Sequence, residues 1–254
     1  MAKKETSERI EIVELRKGVV CFCVLGVTPL ICEAMSFKAK QELVLPRLKK
    51  TKAQKKTTLK HVPLQEFRDS LYYMPQEDAP TLVAANAMWF KAAMSSAAID
   101  VPGATKAELG RLSYVKGDLL PLYGAPKLKA DIVRCQDMAR TPDIHFRAAL
   151  QEWACFLSVE FVTPQLNERA ITNLMAWAGT IRGVGGWRQQ KGSGSYGQFK
   201  LVNLDDPDFR RIVETQDRAV QVQCLEEGLP YDLETRRLLE YFNEEAGSRE
   251  LVAS

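Results

Sequence analysis

The chain of 254 residues has little of what most catalytic or secreted frameworks need: two histidines, His61 and His145, and six cysteines without a framework. Cys21 and Cys23 stand two apart in an apolar run, and Cys32, Cys135, Cys155 and Cys224 are scattered. Tetrahedral zinc sites need ligand pairs in turns and a second pair or histidines to close them, so no metal is expected. The thiols read as free cysteines of a reducing compartment. Residues 1–9 lack the apolar stretch of a signal peptide, and the longest apolar run, 18–32, is broken by Thr28 and Pro29. That run is too short to span a bilayer, so a cytoplasmic protein without a membrane partner is expected. Also missing are a Gly-x-Ser-x-Gly elbow, a Walker loop and a His-Glu-x-x-His helix. Gly192–Gly197 has the spacing Gly-x-Gly-x-x-Gly, but it follows a helical pattern and precedes a strand-like one. Dinucleotide-binding glycines require the reverse order, so no cofactor is expected. His145 alternates with Ile144 and Phe146 in a short strand-like segment and reads as structural. No catalytic residue and no enzymatic activity are therefore expected.

Charge is present but unevenly spread. Residues 205–254 hold six arginines, no lysine and thirteen acids, a net of −7, while residues 1–204 carry a net of +10. Arg47, Lys49, Lys50, Lys52, Lys55, Lys56 and Lys60 crowd into 46–60, with no acid between Glu42 and Glu66. A run this polar and of one sign cannot pack, so residues 46–62 read as a basic arm, and 1–8 as a disordered N-terminus. A basic body with an acidic tail points to a polyanionic partner.

Hydrophobic periodicity outlines the remainder. Residues 9–27 read as a long first strand, 78–99 as a helix opened by Asp78 and Pro80, and 127–134 as a strand. Residues 142–147 suggest a short strand, 152–163 another strand, 164–179 a helix started by Thr163-Pro164, and 198–202 a last strand. Residues 208–226 and 232–245 read as two helices parted by Gly228-Leu229-Pro230, and Asp205, Asp206 and Asp208 as caps of the first. The core order strand, helix, strand, strand, helix, strand is that of an α+β, ferredoxin-like βαββαβ domain over 9–203. The basic arm is inserted into it, and 204–254 forms an acidic helical C-terminal extension.

The segment 179–197 holds seven of the fifteen glycines, interleaved with Arg182, Trp187, Arg188, Lys191 and Tyr196. Glycine admits close approach to phosphate, the cations supply charge, and the aromatic rings offer faces for base stacking. Together with the arm, Arg182, Gly183, Gly185, Gly186, Trp187, Arg188, Lys191 and Tyr196 are the expected nucleic-acid-binding residues.

The run Ala178-Gly-Thr-Ile-Arg-Gly-Val-Gly-Gly-Trp-Arg, followed by Gly-Ser-Tyr-Gly-Gln-Phe, resembles the RAMP superfamily of CRISPR effector backbone subunits. It also resembles phage and prophage proteins with a Gly-x-Gly-x-Trp-Arg ending. The resemblance spans about residues 9–203 and implies an RRM-like fold holding a single-stranded guide by its phosphates, often as filaments. It further implies that Arg182, Arg188 and Lys191 contact phosphates. The expected function is therefore non-catalytic binding of single-stranded RNA or DNA, as a homo-oligomer or filament, in the host cytoplasm if phage-encoded. Two alternatives are a protein–protein assembly or host-takeover module, and a guide-RNA-processing endoribonuclease using His145. In a further reading, the acidic extension covers the basic groove until nucleic acid displaces it.

Overall fold

The computed structural model describes residues 14–45, 60–101, 103, 105–134, 141–191 and 194–253. The chain is a mixed α+β protein with two antiparallel sheets and, among the described residues, eight α-helices. The larger sheet runs β10 (Phe199–Val202), β1 (Arg16–Gly26), β9 (Ala154–Thr163), β6 (Leu119–Tyr123), β4 (Val83–Asn86) and β3 (Tyr72–Tyr73). β5 (Ser113–Val115) also pairs with β9. The central pair, β1 with β9, keeps register from Arg16 opposite Thr163 to Leu25 opposite Ala154.

Strand alternation decides what each sheet face meets. Val20, Phe22 and Val24 of β1 and Cys155, Leu157, Val159 and Phe161 of β9 are buried on one face. α3 (Ala87–Ala97) and α5 (Glu168–Trp177) belong to the same core, with Phe90, Met94, Ile171 and Met175 fully or almost fully enclosed. Each such large side chain contributes about 1.5–3 kcal/mol of burial. Asn86 and Asn167 start these two helices, their side-chain oxygens accepting from Met88 N and Ala170 N at 2.9 Å each.

The opposite face is half covered. α6 (Pro207–Thr215) lays Phe209 and Ile212 over Leu25, Tyr123 and Ala154. Phe209 meets Phe156 edge-on at 4.9 Å, and Arg211 grips Glu152 with two hydrogen bonds of 2.8 and 3.0 Å. Asp206 caps α6, accepting from Asp208 N and Phe209 N.

The smaller sheet runs β2 (Leu30–Ile31), β8 (Pro142–Leu150) and β7 (Pro126–Arg134), with α2 (Pro63–Asp69) packed on β8. α7 (Arg218–Glu227) and α8 (Leu233–Ala253) pack on β7. Gln221 of α7 is fully buried; its oxygen accepts from Leu82 N and Val83 N, and its amide donates to Leu122 O and Gly124 O, all at 2.8–3.0 Å. β7 is tied to the chain ahead of α8 by Leu128 N to Leu229 O and Tyr231 N to Leu128 O, and to the first turn of α8 by Ala130 N to the Thr235 hydroxyl.

Several elements differ from the periodicity reading. The span 78–99 is not one helix: β4 occupies Val83–Asn86, paired to β6, because the apolar run is claimed by the sheet before Asn86 caps α3. The strand beside β9 is β6 rather than 127–134; Gly124, at φ +144°, turns the chain so that β7 instead forms a hairpin with β8. α5 starts at Glu168 under the Asn167 cap rather than at Pro164. Residues 208–226 form two helices, because Asp217 caps a new one, accepting from Ala219 N and Val220 N. α1 (Phe37–Val44) and α4 (Lys106–Leu112) were not anticipated.

Candidate nucleic-acid interface

Segment 179–197 folds inward rather than standing off the surface. After α5 the chain continues through a π-turn, Ala178–Arg182. Gly183, Gly185, Gly186 and Gly197 are buried. Gly186 N donates to Ile31 O, Val184 N to Gly197 O, Gly197 N to Pro29 O and Gly183 N to Ala178 O, at 2.8–2.9 Å. A Cβ on Gly185, where φ is +74°, would sit 2.5 Å from Ile31 O, and one on Gly197 1.8 Å from Val184 O. These glycines let backbone approach backbone, and four of the amides expected to cradle phosphate donate within the protein.

Both arginines of the loop also have partners. Arg182 pairs with Asp100, and Arg188 donates to Gly185 O at 2.9 Å and to Gln190 at 3.2 Å. Trp187 and Tyr196 come together, ring centroids 6.4 Å apart, both half-buried. Between them reaches a residue the sequence reading did not single out. Lys129 Nζ lies 5.9 Å from the Trp187 ring centroid, 6.0 Å from Tyr196 and 5.9 Å from Tyr231. Lys129 and Asp131, two apart on one face of β7, form a buried ion pair. The only sequence signal was charge alternation within a strand, Lys129 and Asp131 between Leu128, Ala130 and Ile132. It marks a face without revealing that aromatics from 187, 196 and 231 cover it.

Of the arm, Arg47, Lys49, Lys50, Lys52, Lys55 and Lys56 lie outside the described residues, as does the side chain of Lys191. Lys60 is described: its ammonium bonds Asp143 and holds that carboxyl below its usual range. Beside it, His61 and His145 line one cavity of about 600 Å³, formed by the start of α1, by α2 and by β8. His145 is thus not isolated. Burial, and then the Arg147 guanidinium beside it, hold its imidazole below the ordinary range. Among the described residues no group of three or more metal-ligating side chains occurs.

The fold and this surface define the chain as a mixed α+β protein with a curled antiparallel sheet, an inward-folded glycine loop and a histidine-lined cavity beside Lys60. No family model and no curated protein matches the chain. Among solved structures it is similar to a chain of the cryo-EM structure of the Type III-B Cmr-beta bound to cognate target RNA, at 12% identity and a TM-score of 0.35. That alignment covers 74% of this chain and 59% of the other, and a likeness at this score carries no argument about function. Among the described residues no helix is long and apolar enough to cross a membrane.

Proposed function

We propose that the chain binds single-stranded nucleic acid, RNA or DNA, without acting on it chemically, and coats the strand as an oligomer. The observation that carries this reading is the arm: seven cations within 46–60 and no acid between Glu42 and Glu66, in a body whose net charge is +10 through residue 204. Cations at this density release condensed counterions when they meet phosphates. Trp187 and Tyr196, both half-buried, support base stacking there, and Arg182, Arg188 and Lys191 of the same segment are the proposed phosphate partners.

A ferredoxin-like, RAMP-like core belongs to the same proposal. It is supported by the strand order β10–β1–β9–β6, by α3 lying between β1 and β6 in the chain, and by α5 lying between β9 and β10. Single-stranded oligonucleotides titrated at rising salt test the function. Affinity falls steeply and linearly in log–log form, and changing the five arm lysines 49, 50, 52, 55 and 56 to Glu removes most of that slope. Absence of binding at low salt refutes the proposal.

A second reading, a protein–protein assembly module, is favoured by α1. None of its residues is buried, and Phe37, Leu43 and Val44, with Leu45 just after it, are 64–77% exposed. Absorbance at 260 nm copurifying with the protein, before and after nuclease, separates the two.

A further inference from the structure

β1 outruns the partner on its outer side. It pairs with β9 from Arg16 to Leu25, whereas β10 reaches only Cys23, Val24, Leu25 and Gly26. Past Val202 the chain turns away, with Asp206 N donating to Asn203 O, and enters α6. Among the described residues no strand pairs with Arg16–Phe22 on that side.

Strand alternation decides which backbone groups this leaves open. Gly26 N donates to Trp153 O on the β9 side, and Val27 N to Gln198 O on the β10 side. Even-numbered residues of β1 therefore turn their N–H and C=O toward β9, and Lys17, Val19 and Cys21 turn theirs outward. The side chains agree. Cys21 Sγ lies 3.2 Å from Ser158 Oγ, the close approach of opposed residues that exchange no backbone bonds with each other. Each outward residue presents one donor and one acceptor, and none of these groups is bonded among the described residues. Val19 is 57% exposed. The stretch 16–22 has no proline and a single lysine, the residues with which outer strands resist pairing.

We infer that this half-open border is a contact between two copies of the chain, β1 of one pairing antiparallel with β1 of the other about a two-fold axis at Val19. The border is its own complement. With Val19 opposite Val19 of the second copy, Lys17 falls opposite Cys21 in both directions. Each of these opposed pairs exchanges two hydrogen bonds, so every open group of Lys17, Val19 and Cys21 is satisfied in both copies. Lys17 meets a neutral side chain rather than a second cation, and the two exposed valines cover each other. Such a contact uses the same patch on both copies and closes on itself. It rests on the strand-binding reading in one respect, by naming the unit of the proposed oligomer as a dimer.

The test follows the full chain, without nucleic acid, by light scattering through a dilution series, where monomer and dimer are expected to interchange. Val19→Pro removes the central donor at a place where an outer strand tolerates proline, and raises the dissociation constant at least about tenfold. Val19→Lys keeps the backbone intact, sets two like charges face to face and has the same effect. Lys17→Cys brings a thiol opposite Cys21 of the second copy, with Cα atoms about 5.5 Å apart, inside the disulfide range. Mild oxidation then gives a covalent dimer at least about tenfold faster than in wild type, whose two Cys21 residues lie on opposite sides of the axis. A monomer at every concentration, the result if residues 1–13 of the same chain or an unrelated strand take the border, overturns the pairing. So does a dimer that both Val19 changes leave intact, or one that Lys17→Cys does not cross-link. Strand titrations on the same samples keep the two readings apart. A monomer that binds strands overturns only the pairing, and a dimer that binds none overturns only strand binding.

Discussion

Gln221 offers a quantitative test of whether the acidic extension is a removable cover or part of the fold. Its side chain is fully buried and satisfies two backbone N–H groups, of Leu82 and Val83, and two carbonyls, of Leu122 and Gly124. Gln221→Leu keeps the volume and removes all four bonds. Each buried group left without a partner costs about 1–3 kcal/mol, and with partial relaxation the four together cost on the order of 4–8 kcal/mol. That is most of the margin of a typical domain, about 5–15 kcal/mol. For a chain of this size Tm moves about 2–4 °C per kcal/mol, so the variant melts at least about 8 °C below wild type in a calorimetric scan. Gln221→Glu separates lost hydrogen bonds from lost packing. It turns a carboxylate toward two carbonyls and destabilises at neutral pH, with partial recovery on acidification as the protonated acid regains one donor. A Gln221→Leu protein melting within about 3 °C of wild type refutes the reasoning and revives a displaceable extension.

Lys129→Met strands the buried Asp131 carboxylate and costs about 3–5 kcal/mol in urea denaturation, whereas Lys129→Met with Asp131→Leu recovers most of it. The His145 imidazole is held below its ordinary range, so between that lowered value and about pH 6.5 the unfolded chain binds the proton more readily. Stability therefore falls as pH drops through this window, and His145→Gln flattens that part of a denaturation-midpoint series. Gly185→Ala forces a side chain into a left-handed backbone position against Ile31 O and lowers stability by about 1–3 kcal/mol, read by thermal melting.

How much of this could be read beforehand depended on where each signal was local. β1 and β9 were legible because an apolar stripe at period two leaves a written record, as did Asp206, whose cap is built from neighbours in the chain. β4 was missed because Val83-Ala84-Ala85 fits a helix as well as a strand, and only pairing with β6, more than thirty residues on, decides. The glycine-rich segment was found by composition, but composition does not say whether a glycine approaches a ligand or another stretch of backbone. Ile31 and Pro29, which take the amides of Gly186 and Gly197, lie 155 and 168 positions earlier in the chain. His145 was weighed alone because His61 lies 84 positions earlier. The fold brings both into one cavity through α2 and β8.

The ties from residues 229–235 to β7 carry a consequence for association. β7 is the outer strand of the smaller sheet, and an outer strand presents a row of open backbone groups on which another chain can add a strand. Here Leu128 gives its N–H to Leu229 and its carbonyl to Tyr231, while Thr235 takes the N–H of Ala130. The extension thus closes that border with the protein's own backbone. Among the described residues the borders open to strand addition include the rims of the larger sheet, the four-residue β10 and the two-residue β3, while Ile31 of β2 takes the Gly186 N–H, and a chain ending before Leu229 would carry a freshly opened, self-adhesive border.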